Sequence, residues 1–279
     1  MAYQAEISRS NPTCFLFLVD QSGSMADPFG SSVGRSKADE LATILNRLLA
    51  SLVIRCSKDE GVRDYFEVGV LGYGGGKVAP ALAGAVANLP IVPIGRLADE
   101  PLRVEDRLQK VSDGAGGLVE QSVKFPIWVD PRAEGGTPMT EALAQGHMAL
   151  SDWVGRHPGA FPPVVFNITD GEATDGDPAP AAERLRSLGT DDGSTLLFNV
   201  HLSERRAPSV EFPATDEALA DSFARRLFSM SSPLPPHLQT AARQEGYEVP
   251  NGSRGFVFNA DAAAVIQFLD IGTRPANLR

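Results

Sequence analysis

The chain has 279 residues, a net charge of −10 and 43% hydrophobic residues, a content typical of a globular core. The acidic balance argues against non-specific binding to nucleic acids or anionic membranes, which requires basic surfaces. No apolar stretch approaches the length of a membrane span, and the first residues lack the basic region and apolar core of a signal peptide. With only Cys14 and Cys56 as packed thiols, we expect a cytoplasmic protein without a disulfide framework.

The first predicted element is an apolar strand over residues 14–19, which suits burial on both faces of a parallel sheet. Asp20, Ser22 and Ser24 follow it directly. Ligands of open α/β sheets bind outside the carboxyl ends of the strands, so these side chains lie where a site is expected. One carboxylate and two hydroxyls around a glycine turn suit a hard cation such as Mg²⁺.

The next predicted elements are a helix and a strand. Apolar residues at spacings of three and four predict a helix over 36–56, with Ser36 as its N-cap. Residues 66–73 are dense in valine, leucine and aromatics and predict a strand, which stops at three glycines. Residues 77–87 are expected to pair back on it as a short hairpin.

Residues 88–136 are the least regular part of the chain, and we interpret them as an insertion. Within them the pattern predicts a short strand over 89–94, a helix of alternating charge over 104–111 and a turn at 113–117. An apolar segment over 125–129 then folds back towards the candidate site. The insertion either shapes a surface for a partner or is an excursion of the scaffold without a contact role.

Two further segments offer oxygen ligands. Thr137 stands before Pro138 in a glycine-containing loop that opens a predicted helix over 138–154, where a missing N–H is tolerated. Residues 164–169 predict a second, mainly apolar strand, and Asp170 follows it. Asp170 is therefore a second carboxylate at the carboxyl end of a buried strand.

Together the three segments resemble the metal-ion-dependent adhesion site of the von Willebrand factor A (VWA) family, written Asp-x-Ser-x-Ser, then Thr, then Asp. The matching residues, in the same order, are Asp20, Ser22, Ser24, Thr137 and Asp170. The resemblance covers about residues 13–269 and is stronger to cytoplasmic bacterial VWA proteins, including those associated with tellurite resistance, than to integrins. It implies that these five residues hold Mg²⁺, with Mn²⁺ or Ca²⁺ also possible.

The rest of the chain continues the alternation of strands and helices. Asp177 caps a predicted helix start, and the pattern then predicts a strand over 196–202, helices over 216–228 and 236–246, a strand over 254–258 and a helix over 261–271. We therefore predict an α/β fold with a Rossmann-like, doubly wound, mostly parallel central sheet flanked by helices, and with an inserted irregular or β segment. The predicted organisation is an N-terminal arm (1–12), one domain (13–271, insertion about 88–136) and a C-terminal tail (272–279).

Three functions are compatible with such a site. Mostly neutral hydroxyl ligands leave the ion electrophilic and leave coordination positions open; the resemblance implies that a Glu or Asp of a partner protein fills one of them. It also implies a non-enzymatic adaptor in a bacterial stress or defence system, with an AAA+ ATPase, kinase or phosphatase as possible partner. The alternatives are a metal-dependent hydrolase or phosphatase and a scaffold with a purely structural metal. A dehalogenase-type phosphatase needs a second Asp where this chain has Ser22, which disfavours the first alternative.

Overall fold

The computed structural model describes residues 2–29, 34–112, 118–202, 209–219, 222–275 and 278. The helices are α1 (Lys37–Cys56), α2 (Ile94–Asp99), α3 (Met139–Arg156), α4 (Ala179–Ser187), α5 (Ser222–Met230), α6 (Pro236–Gln244) and α7 (Ala262–Gly272). The strands are β1 (Thr13–Asp20), β2 (Ser57–Lys58), β3 (Gly61–Val62), β4 (Phe66–Gly74), β5 (Lys77–Pro80), β6 (Val92–Pro93), β7 (Arg103–Ser112), β8 (Leu118–Ile127), β9 (Val164–Thr169), β10 (Gly189–Thr190), β11 (Gly193–Ser194), β12 (Leu196–Leu202), β13 (Val210–Glu211) and β14 (Phe256–Ala260).

An eight-stranded sheet forms the centre of the described structure, in the order β13-β14-β12-β9-β1-β4-β5, with β6 also paired to β4. The strands from β14 to β4 are parallel to one another, whereas β13, β5 and β6 are antiparallel additions. The chain builds the sheet outwards from β1 towards β4 and from β9 towards β14. The strand order therefore reverses between β1 and β9, and such a switch point opens a crevice at the carboxyl ends of its strands.

Helices cover both faces of this sheet, as the alternation of side chains along β1 requires. Phe15 and Phe17 face a core shared with α1, α2, α6 and α7, whereas Leu16 and Leu18 face a core shared with α3, α4 and α5. Phe17 stacks on Phe166 of β9, with ring centroids 5.2 Å apart. The predicted α/β class with a mostly parallel sheet between helices is confirmed.

The insertion contains the main correction to the predicted elements. The helix predicted over 104–111 is wrong, because this segment is strand β7, paired antiparallel to β8 along its length in a separate two-stranded ribbon. Arg107 lies over the ring of Phe125, 3.8 Å from its centroid, on one side of the ribbon. Val104 and Leu108 are 53% and 72% exposed, so no buried face marked the segment as a strand. The turn predicted at 113–117 lies outside the described residues.

The N-terminal segment, expected as a loose arm, packs against the domain within the described residues. Ile7 is 1% exposed, and the amide of Tyr3 donates to the carbonyl of Asp192 at 2.7 Å. The carboxylate of Asp192 accepts the amides of Gln4 and Ala5. The domain limits at residues 12 and 271 stay predictions, and residues 276, 277 and 279 of the tail lie outside the described part.

Other predicted elements differ in detail from the structure. The helix predicted over 216–228 is a turn at 216–219 and then α5, within the described residues. Cys14 and Cys56 are buried free thiols, as expected. In the described ranges, each helix is too short or too polar to cross a bilayer. The cytoplasmic location stays a prediction.

Candidate metal site at the carboxyl ends of β1 and β9

Three loops pack backbone against backbone at the switch point. The amide of Gly23 donates to the carbonyl of Gly135 at 2.8 Å, and the amide of Glu134 donates to the carbonyl of Gln21 at 2.7 Å. A Cβ on Gly74 would lie 2.2 Å from the carbonyl oxygen of Gln21, so only glycine fits there. Backbone contacts alone therefore fix the loops after β1, after β4 and before α3 to one another.

Asp20 is the buried carboxylate of the site. It is 1% exposed; the Ser22 amide donates to its Oδ1 at 2.8 Å and the Thr169 hydroxyl donates to its Oδ2 at 2.6 Å. The pKa of Asp20 is raised from 3.8 to about 6, mainly by burial and to a small extent by the negative charge of Asp170, while the hydrogen bonds from Thr169 and Ser22 act to lower it. A cation close to this carboxyl group would oppose the effect of burial.

Ser22, Ser24 and Asp170 form one connected group of oxygen atoms. The two serine hydroxyls are 3.2 Å apart, and Ser24 Oγ donates to Asp170 Oδ1 at 2.7 Å. Ser22 is buried whereas Ser24 is exposed. Residues separated by 146 positions in the chain thus meet across the gap between β1 and β9, and one side of the group is open to solvent.

Thr137 borders the same site from the loop before α3. Thr137 is 5% exposed. Its Oγ1 lies 3.8 Å from the position that a Cβ would occupy on Gly171, which is next to Asp170. Its backbone exchanges hydrogen bonds with Thr174, whose hydroxyl accepts the Thr137 amide at 2.9 Å. The structure thus connects four of the five predicted residues directly and sets Thr137 beside them. That they bind a metal stays a prediction.

Lys37 is the residue of this site that the sequence analysis missed. Its Nζ lies 2.8 Å from Asp170 Oδ2, and the two side chains are only 5% and 0% exposed. A signal existed, because Lys37 is the first residue of α1, where the helix dipole disfavours a positive charge. A cation at that position indicates an acidic partner from elsewhere in the chain.

Thr169 and Asp175 also support the site without having been singled out as part of it. Thr169 holds Asp20, as described above. Asp175 accepts the amides of Thr140 and Glu141 at 3.1 and 2.9 Å and so caps the start of α3 behind Thr137. The two oxygen atoms of the Asp175 carboxylate are thus engaged in capping α3.

The donor set fits a hard divalent cation. Two carboxylates and three hydroxyls provide oxygen ligands alone, which is the chemistry that Mg²⁺ prefers. No group of three His, Cys, Asp or Glu residues that could hold a metal occurs among the described residues, so a candidate ion depends on serine and threonine hydroxyls. Among the described residues, the ammonium of Lys37 opposes this fit, since it already engages Asp170.

Comparisons with known proteins leave the family open. No family model and no curated protein matches the chain. A von Willebrand factor type A structure from Catenulispora acidiphila is 15% identical with a TM-score of 0.34, over 68% of this chain and 33% of that one. The vWF domain of the type V pili tip protein Mfa5 from Porphyromonas gingivalis is 16% identical with a TM-score of 0.30. The match covers 58% of this chain and 39% of that one. A structure of three N-terminal domains of Mfa5 is 14% identical with a TM-score of 0.31. The match covers 58% of this chain and 20% of that one. This chain therefore spans well under half of each of these structures, and likeness at such TM-scores carries no argument.

Proposed function

We propose that this chain is a non-catalytic protein-interaction module, which binds an acidic side chain of a partner protein through a Mg²⁺ ion. Asp20, Ser22, Ser24, Thr137 and Asp170 would hold the ion, with Mn²⁺ or Ca²⁺ as substitutes. The bound ion would supply an electrophilic position for a partner carboxylate. The observation that carries the proposal is the hydrogen-bonded group of Ser22, Ser24 and Asp170 at the switch point of the sheet.

The exposure of Ser24 favours recognition over a purely structural metal. Asp20 and Ser22 are buried and connected to the core, whereas Ser24 faces solvent. A partner side chain approaching from that side would meet the oxygen group directly. A site that only stabilised loops would need no open side.

A hydrolase is the weaker candidate, because two of the four histidines are engaged at the amino ends of the strands and a third, His201, is buried against the ring of Phe258. His157 lies 3.4 Å from Glu67, and His237 packs on Phe161 at the amino ends of the strands. Ser22 stands where a dehalogenase-type phosphatase needs an acid, and its hydroxyl is hydrogen bonded to Ser24. The bacterial stress or defence setting, and an AAA+ ATPase, kinase or phosphatase as partner, are proposed on the VWA resemblance alone.

The test is a calorimetric Mg²⁺ titration followed by capture of partners from the native lysate, each with wild type, Ser24→Ala and Asp20→Ala. Ser57→Ala is the matched control, because Ser57 lies just beyond the opposite end of α1. We expect Mg²⁺ binding and a captured protein with wild type and Ser57→Ala, and loss of both with the two site variants or in EDTA. A folded Asp20→Ala that holds the same partner equally well in EDTA would contradict the proposal.

A further inference from the structure

The buried position of Lys37 is unusual for its place on a helix. As the first residue of α1 it stands at the positive end of the helix dipole, yet it is only 4% exposed. A lysine that can reach water normally extends its ammonium into solvent. The ammonium therefore needs a compensating negative group, and Asp170 provides it at 2.8 Å.

The ammonium lies among the atoms of the candidate metal site. Asp170 Oδ2 accepts from Lys37 Nζ and Asp170 Oδ1 accepts from Ser24 Oγ, so both carboxylate oxygens are engaged. Lys37 Nζ also lies 3.5 Å from the backbone carbonyl oxygen of Ser24. One residue of this chain thus puts a positive charge on two of the five residues that would hold the ion.

Two cations cannot share this small buried group without strong repulsion, because the interaction of charges a few ångströms apart is poorly screened inside a protein. On the basis of the proposed function, we propose that Lys37 is an internal cation of the metal site, whose ammonium must leave Asp170 when a divalent ion binds. Lys37 then lowers the affinity for the metal and makes occupation of the site a replacement of one cation by another. It is a positioning residue for Asp170 in the metal-free protein.

A simple structural ion pair between α1 and β9 makes a different prediction. If Lys37 only anchored α1, its ammonium could stay on Asp170 while an ion was held by the remaining oxygens. Its replacement would then leave the metal affinity unchanged, or lower it through loss of order at Asp170. The direction of the change in affinity separates the two interpretations.

The experiment is a calorimetric Mg²⁺ titration of metal-stripped wild type, Lys37→Met and Lys58→Met. Methionine keeps the apolar stem of the lysine and removes its charge. Lys58 is exposed, just beyond the other end of α1, and is the matched control for loss of one positive charge. We expect Lys37→Met to bind Mg²⁺ roughly tenfold or more tightly than wild type, since a nearby like charge is removed, and Lys58→Met to bind as wild type does.

Each outcome decides the matter. Wild-type binding with an unchanged or weaker Lys37→Met overturns the inference and leaves the proposed function standing, whereas no binding by any variant overturns both. Binding by Lys37→Met alone supports the inference. Should Lys37→Met unfold without metal, Lys37→Gln replaces it, because the glutamine amide can still donate to Asp170. The thermal shift caused by Mg²⁺ is the second readout, and it must be larger in the Lys37 variant than in wild type.

Discussion

At the carboxyl ends of the parallel strands, the chain buries Asp20, Asp170 and Lys37 and connects them through hydrogen bonds and an ion pair. At the amino ends of the same strands it packs the partly buried His237 against the ring of Phe161, with centroids 5.6 Å apart. There burial lowers the pKa of His237 to about 4, although the charge of Asp192 acts in the opposite direction.

The two ends of the sheet differ in the polar partners that the surrounding backbone and side chains provide for a charged group. The carboxylate of Asp192 is already occupied by the amides of Gln4 and Ala5, so little is left to stabilise a charged His237. At the other end Thr169 and the Ser22 amide both donate to Asp20. Among the described residues, the buried Asp20 carboxylate and the buried Lys37 ammonium both lie at the carboxyl ends of the strands, which agrees with the site proposed there.

The largest expected effect comes from breaking the charged pair at the carboxyl ends. Replacing Lys37 with Met should lower the free energy of unfolding by about 3–5 kcal/mol in EDTA, because it leaves the Asp170 carboxylate buried without its cation. The double variant Lys37→Met/Asp170→Asn should recover most of this loss. Urea denaturation of wild type, both single variants and the double variant measures it; equal losses in the single and the double Lys37 variants would contradict the argument.

A second expected effect concerns Asp20 and pH in the metal-free protein. The pKa of Asp20 is about 6 in the folded state, against an ordinary value of 3.8. The folded state therefore keeps the proton up to a higher pH than the unfolded chain does. The stability contributed by protonated Asp20 is present below about pH 4 and is lost as pH rises through 6, by about 3 kcal/mol in total. Asp20→Asn should lack this dependence.

The Asn variant suits this comparison because its amide can donate to the Thr169 hydroxyl, which is also 3.1 Å from the carbonyl of Gly171 and can donate there. Denaturation in EDTA at several values of pH measures the difference from wild type. That difference should move in favour of Asp20→Asn as pH rises from 4 to 7; a difference that is constant with pH would show that Asp20 titrates normally.

His237 should show the opposite sign in the same range of pH. Its pKa is about 4 when folded and 6.5 as the ordinary value, so the unfolded chain takes up the proton first. Stability is complete above about pH 6.5 and falls as pH decreases through 4, by about 1–2 kcal/mol after allowance for partial exposure. His237→Leu should remove this loss and His147→Leu should keep it. If the free energies of unfolding of wild type and His237→Leu changed with pH in parallel, His237 would not have a lowered pKa in the folded protein.

The smallest expected effect tests an exposed carboxylate near the site. Asp175→Ala should cost about 1 kcal/mol of unfolding free energy, because the amides of Thr140 and Glu141 lose their capping group. Glu172→Ala is the control, since its exposed carboxylate makes no hydrogen bond within the described part of the chain. Thermal unfolding compares the two. If the variants were equally stable, the cap would contribute nothing measurable.

The sequence predicted those parts of the fold that have a buried face. The strand that ends at Asp20 and the strand before Asp170 are mostly apolar and are buried along their whole length, so their type and the meeting of their ends could be inferred. The ribbon of β7 and β8 could not, because Val104 and Leu108 are exposed and Arg107 packs on the ribbon itself. Periodicity in a sequence reflects burial, and the exposed side chains described for this ribbon leave little of it.

Lys37 shows a different limit. Its position at the start of α1 conflicts with the helix dipole, and that conflict is visible in the sequence once Ser36 is taken as the cap. The partner that resolves it lies 133 residues away in the chain. A local rule can therefore show that something compensates the charge, whereas only the assembled sheet shows that Asp170 does.

Helix α1 is attached by ion pairs at both of its ends. Lys37 binds Asp170 at the first residue, and Arg55, near the last residue, binds Asp270 of α7, which also pairs with Arg274 at 2.9 Å. The twenty residues of α1 span about 30 Å, so the two ion pairs lie far apart. Apolar side chains along the whole of α1 are buried in the core, so release of Lys37 from Asp170 would free only the first turn of the helix, next to Ser24, and would leave the Arg55 end in place.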